Sequence, residues 1–354
     1  MKKKVLHVAE TVKGGVATVI RQLVQPNGEF DFYCLLPDSQ YSEIGTFPES
    51  KLKKFTRSGR NISSFISLAV NYIRIVRKEK PDVIHIHSTF AGVICRLLTP
   101  LIRMSCKPKI IYCPHAFSFL MDTSEKKKRV YTWIEKILQK KTDVIICTSE
   151  YEKRVALGVG LDSNNLTVVY NGVEPPLPTG DHVTPYQSDK INILFVGRFD
   201  YQKGFDLVKE IADRLDDGFL ITVVGGNVHA TEPPPHHARI SYKGWLTSIE
   251  IAPYFSYADV LLMPSRWESF GLVAVEAESY GLPVVASRCS SLPEVVCEGV
   301  TGYLFTTNKA SEAVEILNTR GKDDWASMKA ACVDFYSANF TSDRMVSSTY
   351  HLYR

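Results

Sequence analysis

The chain has 354 residues, 45% hydrophobic and 23% charged, enough for two domains that each bury a core. That composition excludes a disordered, collagenous or disulfide-framework protein. The formal net charge of +4 hides an asymmetry: residues 1–180 hold 27 Lys+Arg against 16 Asp+Glu (+11), and residues 181–354 hold 15 against 22 (−7). A basic half of this kind suits an anionic membrane, a phosphorylated substrate or nucleic acid. Met1-Lys2-Lys3-Lys4 resembles the start of a signal peptide, but His7 and Glu10 break the apolar run behind it. No apolar stretch approaches the ~20 residues of a membrane span. The eight Cys form no C-x-x-C pair and mostly sit in apolar runs (Cys34, Cys113, Cys147), as reduced thiols of a cytosolic protein would.

In chain order, strands are expected at Val5–Ala9, Asp31–Leu36, Val83–His87, Lys109–Cys113, Val144–Cys147 and Leu166–Val169. Helices lie between them, among them Ile62–Arg77 and Ser124–Lys141. The second half repeats the pattern with strands at Ile191–Val196, Leu220–Val224, Val260–Met263, Pro283–Ala286 and Tyr303–Phe305. Strands spaced by helices make βαβ units, hence parallel sheets covered on both faces. The fold class is therefore α/β, two Rossmann-like doubly wound parallel-sheet domains facing a central cleft. The expected division is residues 1–175 for a first domain, a Pro- and Gly-rich linker at 176–189, residues 190–338 for a second domain, and a closing segment at 339–354.

The densest chemical signal is Gly197-Arg198-Phe199-Asp200-Tyr201-Gln202-Lys203-Gly204, directly after a strand. Gly197 lets the backbone turn, and Arg198 and Lys203 bring a guanidinium fork and a point charge to a helix start, a setting for diphosphate. Standing alone, the loop would read as two surface cations. A second loop, Pro264-Ser265-Arg266-Trp267-Glu268-Ser269-Phe270-Gly271-Leu272, follows the strand Val260–Met263. Its amides at Phe270, Gly271 and Leu272 are expected to form the first turn of a helix, an anion site. Glu276 lies about one turn further on, placed to accept hydrogen bonds from vicinal hydroxyls.

Glu268 and Glu276 as E-x7-E, the G-R-x-x-x-x-K-G loop, Tyr170-Asn171-Gly172-Val173, and Gly14-Gly15-Val16 resemble the GT-B glycosyltransferases of family 4 over almost the whole chain. The resemblance implies that residues 1–175 form the acceptor-side domain and 190–338 the nucleotide-sugar domain, that 339–354 form a helix crossing back to the first, and that Arg198 and Lys203 neutralise the donor diphosphate. Glu268 would contact the sugar hydroxyls, Glu276 the ribose, and the Phe270–Leu272 amides sugar and phosphate. Gly14 and Gly15 would let the first βα loop approach the donor. It also implies a His beside the donor sugar in the loop Pro114-His115-Ala116-Phe117, so that His115 joins Glu268, Arg198 and Lys203 as catalytic residues; by itself His115 reads equally well as a packed core ring. Gly14-Gly15 lacks the G-x-G-x-x-G spacing of a dehydrogenase. No D-x-D occurs, so neither a metal nor another cofactor is expected.

His85 and His87 share one side of a strand; a metal pair is conceivable there, but no third ligand stands at useful spacing. His87 reads as lining the acceptor side and His85 as structural, while His229, His236 and His237 fall in a Pro-rich loop without an evident role. In Ser124–Lys141, Val130, Trp133, Ile134, Ile137 and Leu138 follow a helical period and read as a core stripe, Trp133 included. Lys126, Lys127, Lys128 and Arg129, with Lys136, Lys140 and Lys141, then form a solvated face or one turned to an anionic bilayer. No nucleic-acid module is recognisable.

The expected activity is a retaining glycosyltransferase. It would move a hexose or N-acetylhexosamine from a nucleotide-sugar, UDP-linked by the family's commoner usage, to a lipid-linked or surface-polysaccharide acceptor of O-antigen or capsule type. The expected location is cytoplasmic, peripheral at the inner face of the cell membrane. A GT-B nucleotide-sugar epimerase and a non-catalytic nucleotide-sugar-binding protein are the rivals.

Overall fold

A computed structural model describes residues 2–178, 183–227 and 236–354. The chain divides into two compact units, one running up to Asn171 and resuming at Met345–Arg354, the other Gly172–Arg344. Thr179–His182 of the proline-rich segment, and His229, lie outside the described residues.

The first unit runs β1 (Lys3–Ala9), α1 (Gly15–Leu23), β2 (Phe30–Pro37), β3 (Leu52–Phe55), α2 (Ile62–Glu79), β4 (Val83–His87), α3 (Thr89–Arg103), β5 (Lys109–Cys113), α4 (Glu125–Leu138), β6 (Val144–Cys147), α5 (Glu150–Gly158) and β7 (Leu166–Val168). Its strands form one parallel sheet in the order β3-β2-β1-β4-β5-β6-β7. The second unit runs β8 (Ile191–Val196), α6 (Phe205–Arg214), β9 (Phe219–Val224), β10 (Ile240–Gly244), α7 (Ser248–Tyr257), β11 (Val260–Met263), α8 (Leu272–Ser279), β12 (Val284–Ser287), α9 (Leu292–Val295), β13 (Gly302–Phe305), α10 (Ala310–Asn318), α11 (Lys322–Ser327) and α12 (Lys329–Asn339). Its sheet is also parallel, ordered β10-β9-β8-β11-β12-β13. Helix α13 (Ser342–Tyr353) leads out of this unit, and its C-terminal part packs in the first.

Both sheets are doubly wound, and each reverses its strand order at one point, between β1 and β4 and between β8 and β11. Loops leaving the C-terminal ends of strands at such a reversal diverge to opposite faces and leave a crevice where ligands bind. Near-continuous Val, Ile and Leu runs fill the strands because both faces are covered. In the first unit one core lies under α2, α3 and α5, and the other under α1 and the end of α13.

The two strands that sequence periodicity misses, β3 and β10, are both sheet edges. Leu52-Lys53-Lys54-Phe55 is short and carries two lysines, a pattern that protects an open edge but weakens the strand signal.

Helix α4 corrects the expected core stripe. Trp133 is 63% exposed, Val130 54% and Ile137 40%; the residues of α4 that face inward to full burial are Glu135 and Leu138. Arg96 on α3 is wholly buried and lies 3.8 Å over the Tyr112 ring. A buried guanidinium requires an anionic partner. Its Nη1 and Nη2 donate to Glu135 Oε2 (2.8 Å) and Oε1 (3.0 Å), and the Tyr112 hydroxyl adds a third contact to Oε1 (3.3 Å). Two residues along a helix is a rotation of about 200°, so turning Glu135 inward turns Trp133 out. Gly92 allows the approach of α3, since a Cβ there would sit 2.4 Å from the Tyr112 ring.

Candidate functional site

In the second unit the two chemistry-bearing loops leave β8 and β11, the strands that flank the reversal. Gly204 clamps them together. It has φ +66°, and a Cβ there would lie 2.0 Å from the Pro264 carbonyl oxygen. Arg266 N donates to the Gln202 carbonyl (2.8 Å), and Gln202 Nε2 to the Trp267 carbonyl (3.2 Å). The Arg266 side chain, which no sequence argument singled out, braces this junction through a bidentate pair with Asp206 (2.8 and 2.6 Å) and lies over the Tyr201 ring.

Through this clamp Lys203 reaches the second loop, where Nζ donates to Glu268 Oε1 at 2.6 Å. The same oxygen accepts from Ser265 Oγ (2.8 Å), and Glu268 is buried. Ser287 Oγ in turn donates to the Ser265 carbonyl. Arg198, more exposed, pairs with Asp200 (3.2 Å) and donates to Gln202 Oε1 (2.8 Å). Gly197 holds the β8 exit against β9 through its amide and the Val224 carbonyl (2.9 Å). Asp200 links the two cationic residues, since its Oδ1 accepts from the Lys203 amide (2.9 Å) while its Oδ2 pairs with Arg198.

Helix α8 begins at Leu272, with Gly271 as its N-cap at φ +101°. Of the three amides expected in the first helical turn only that of Leu272 is helical; Phe270 and Gly271 precede it. The Phe270 ring is buried against Phe340, so this residue can offer a ligand only its backbone. Glu276 lies one turn into α8, and loss of hydration pushes its carboxyl up to about 7 against the opposing pull of Lys203.

In the first unit Gly14, at φ +54°, caps α1, and Gly15 opens it. The space around Gly14 is open, so its backbone conformation, not crowding, excludes a side chain there. The approach to this turn is held by Gln40 Oε1, which accepts from Val12 N (2.8 Å), and by Glu10, buried and paired with Arg57 (2.8 Å).

His115 follows β5 with φ +56°, and Ala116 follows it at φ +154°. Phe117 N donates to Glu152 Oε1 (3.1 Å), while Oε2 of this buried carboxylate accepts from Thr148 N (2.7 Å). Neither Glu152 nor Glu10 carries a motif signal. His115 Nε2 shares a hydrogen bond with His87 Nδ1 (3.0 Å), and His87 Nε2 shares another with His7 Nδ1 (3.0 Å). His87 is therefore enclosed between two rings and wholly buried; it does not line an acceptor surface. His85 is also buried, with Nδ1 bonded to the Tyr353 hydroxyl (2.7 Å). Burial alone depresses His7 to about 3 and His115 to about 4. Burial, with the neighbouring rings, sends His85 and His87 well below the ordinary histidine value.

His7, opposite His85 in the β1–β4 register, is the third histidine that spacing could not supply. Ring nitrogens of His7, His85 and His87 come within 4.8 Å of one another, a possible metal set. Both nitrogens of His87 are engaged with other histidines, so the group already forms a hydrogen-bonded network. His236 is exposed, and His237 Nε2 bonds Asp213 (3.0 Å) on the surface of the second unit.

On α4, Lys126, Lys127 and Arg129 are exposed and Lys128 pairs with Glu125 (2.9 Å). Among the described residues no helix is long and apolar enough to cross a membrane.

Solved structures share this architecture throughout its length. Sucrose-phosphate synthase from Thermosynechococcus elongatus superposes with a TM-score of 0.83 at 17% identity, covering 100% of this chain and 98% of that one. Anabaena Alr3699/HepE in complex with UDP-glucose gives 0.79 at 17% identity, covering 99% and 98%. The fold is accordingly GT-B, two Rossmann-like parallel-sheet domains. The family description "Glycosyltransferase Family 4" matches residues 13–176 and "Glycosyl transferases group 1" matches residues 181–331. The chain belongs to the family 4, group 1 glycosyltransferases and is a transferase enzyme. An uncharacterized 41.2 kDa protein in the cps region of Klebsiella pneumoniae is 44% identical over 360 residues, 99% of each chain. The Escherichia coli UDP-Gal:alpha-D-GlcNAc-diphosphoundecaprenol alpha-1,3-galactosyltransferase is 25% identical over 351 residues, 91% of this chain and 89% of its own.

Proposed function

We propose that this glycosyltransferase moves a hexose or N-acetylhexosamine from a UDP-sugar to a lipid-linked or surface-polysaccharide acceptor, with retention at the anomeric carbon. The observation that carries the donor half is the Lys203–Glu268 pair, on a loop whose Asp200 also holds Arg198. A diphosphate placed there draws Arg198 and Lys203 to its oxygens, and the charge that develops on the leaving phosphate is stabilised by cations already in position. These two cations and the Leu272 amide supply the compensation that a metal gives in other transferases, so the reaction is assigned no metal. Glu268 takes the sugar hydroxyls and Glu276 the ribose, and the family resemblance assigns His115, Gly14 and Gly15 to donor contact as well. Among the described residues no carboxylate stands out as a covalent nucleophile, which favours front-face attack with the donor phosphate accepting the acceptor's proton.

The acceptor half rests on the cps-region relative and the diphosphoundecaprenol-dependent one. A lipid-linked acceptor brings the enzyme to a membrane, and α4 offers a surface for it. Val130, Trp133 and Ile137 stand exposed in a row, with Lys126, Lys127, Arg129, Lys136 and Lys140 around them. An apolar stripe flanked by cations suits the interface of an anionic bilayer, where each cation adds ~1 kcal/mol. The enzyme on this reading is peripheral at the cytoplasmic face.

A panel of nucleotide-sugars tested for thermal stabilisation identifies the donor. Transfer from that donor to an undecaprenyl-diphosphate sugar, with the anomeric configuration of the product read by NMR, tests the reaction. Conversion of the donor to its epimer, or binding without hydrolysis or transfer, would replace the reading by one of its rivals.

A further inference from the structure

The row of rings ending at His115 contains two histidines, His7 and His87, to which the proposed transfer assigns no role. His7 Nδ1 meets His87 Nε2 and His87 Nδ1 meets His115 Nε2, each at 3.0 Å, with interplanar angles of 14° and 21°. Burial holds all three rings neutral at pH 7, so each carries one ring proton. Three protons are then shared between two ring-to-ring contacts and one end of the row.

The ends differ. His7 Nε2 is buried and has no hydrogen-bond partner among the described residues. His115 is half-buried, and its Nδ1 is bonded to no described residue. A proton left on His7 Nε2 would be an orphaned buried N–H, which folded proteins rarely tolerate; a bare lone pair there is cheaper. Every proton in the row is displaced accordingly: His7 donates from Nδ1 to His87, His87 donates from Nδ1 to His115, and the last proton sits on His115 Nδ1. His85, bonded to Tyr353 and packed with its ring centroid 4.1 Å from that of His87, limits rotation of the middle ring.

We infer that His7 and His87 are positioning residues that hold His115 as the Nδ1–H tautomer, so that His115 meets its substrate as a hydrogen-bond donor at Nδ1. The inference rests on the reading of His115 as a donor-sugar contact only for its catalytic consequence. The loop supports it independently, because His115 and Ala116 both hold positive φ without being glycine. Such backbone persists where surrounding contacts over-determine it, and it clusters at functional sites.

Long-range 1H–15N correlation on the full-length chain labelled at histidine nitrogens reads the tautomers directly. The wild type is expected to show protonated Nδ1 and bare Nε2 at both His87 and His115. A proton on His115 Nε2 overturns the inference. His87→Leu removes the donor and should release His115 from its single tautomer, with kcat lowered about tenfold, ~1.4 kcal/mol in the barrier. His87→Asn keeps an N–H near the position of Nδ1 and should restore both signature and rate. An unchanged His115 spectrum in folded His87→Leu would remove the positioning role. If His115 is Nδ1-protonated while His115→Ala turns over normally, the tautomer assignment stands and the sugar-contact reading is the one that falls.

Discussion

Lys203 Nζ lies 2.6 Å from Glu268 Oε1, so the cation assigned to the diphosphate and the carboxylate assigned to the sugar are direct partners. Arg198, bonded to Asp200 and Gln202, stands outside that pair. Lys203→Ala and Arg198→Ala each remove a charge-assisted contact worth ~1.5–3 kcal/mol, which lowers kcat/KM by roughly 10- to 100-fold. Lys203→Ala carries a second cost, because it leaves Glu268 buried without its cation. The two substitutions should therefore differ in stability, with the lower melting temperature in Lys203→Ala. Steady-state kinetics and thermal unfolding separate these effects, and near-normal transfer by the double variant would remove the diphosphate assignment.

Glu268 and Glu276 should divide their effects. The sugar changes shape and charge in the transition state, so Glu268→Gln lowers mainly kcat; the ribose does not react, so Glu276→Gln raises mainly the donor KM. Equal loss of kcat in both variants would contradict the division.

Glu276 also sets a pH dependence. Its carboxyl titrates at about 7, and the hydroxyl-accepting form is the carboxylate. Below that pH the group is protonated and accepts less well, so the donor KM falls as pH rises through about 7. Glu276→Gln cannot titrate and should flatten this limb of the profile. A wild-type KM that stays level from pH 6 to pH 8 (roughly a unit either side) would exclude Glu276 from donor binding.

Helix α4 should bind acidic vesicles through both charge and apolar contact. Neutralising Lys126, Lys127 and Lys128 together weakens sedimentation with anionic vesicles most at low salt, where the Debye length exceeds ~10 Å. Trp133→Ser weakens it at high salt as well, since the apolar term is not screened. Trp133 emission should shift to the blue on binding. Donor affinity should be unchanged in both variants. Equal pelleting of wild type and triple variant at every salt concentration would make the lysines a solvated face.

The buried Arg96–Glu135 pair orients that helix, and breaking it exposes the dependence. Glu135→Ala leaves a guanidinium uncompensated in the core and should cost about 3–5 kcal/mol. Arg96→Met with Glu135→Leu removes both charges and should recover most of that loss. Chemical denaturation of the two variants measures the difference; equal stability would show that the pair does not anchor α4.

Sequence by itself determined the two doubly wound halves, because parallel strands covered on both faces are written as short apolar runs with amphipathic segments between them. It also determined the G-R-x-x-x-x-K-G and E-x7-E loops, whose chemistry lies close together along the chain. Edge strands β3 and β10 stayed hidden, since an edge is half-solvated and lysine-bearing and loses the buried-strand pattern. Tertiary structure alone decided which side of α4 faces inward: apolar periodicity favoured Trp133, but the partner required by buried Arg96 outweighed it, and Arg96 lies on another helix. The same holds for His7, His87 and His115. They come from within β1, from the end of β4 and from the loop after β5, and only the β1–β4–β5 pairing brings their rings into one row. Periodicity reports which residues avoid water; it does not report which buried polar groups must find one another, and that need is met across elements far apart in the chain.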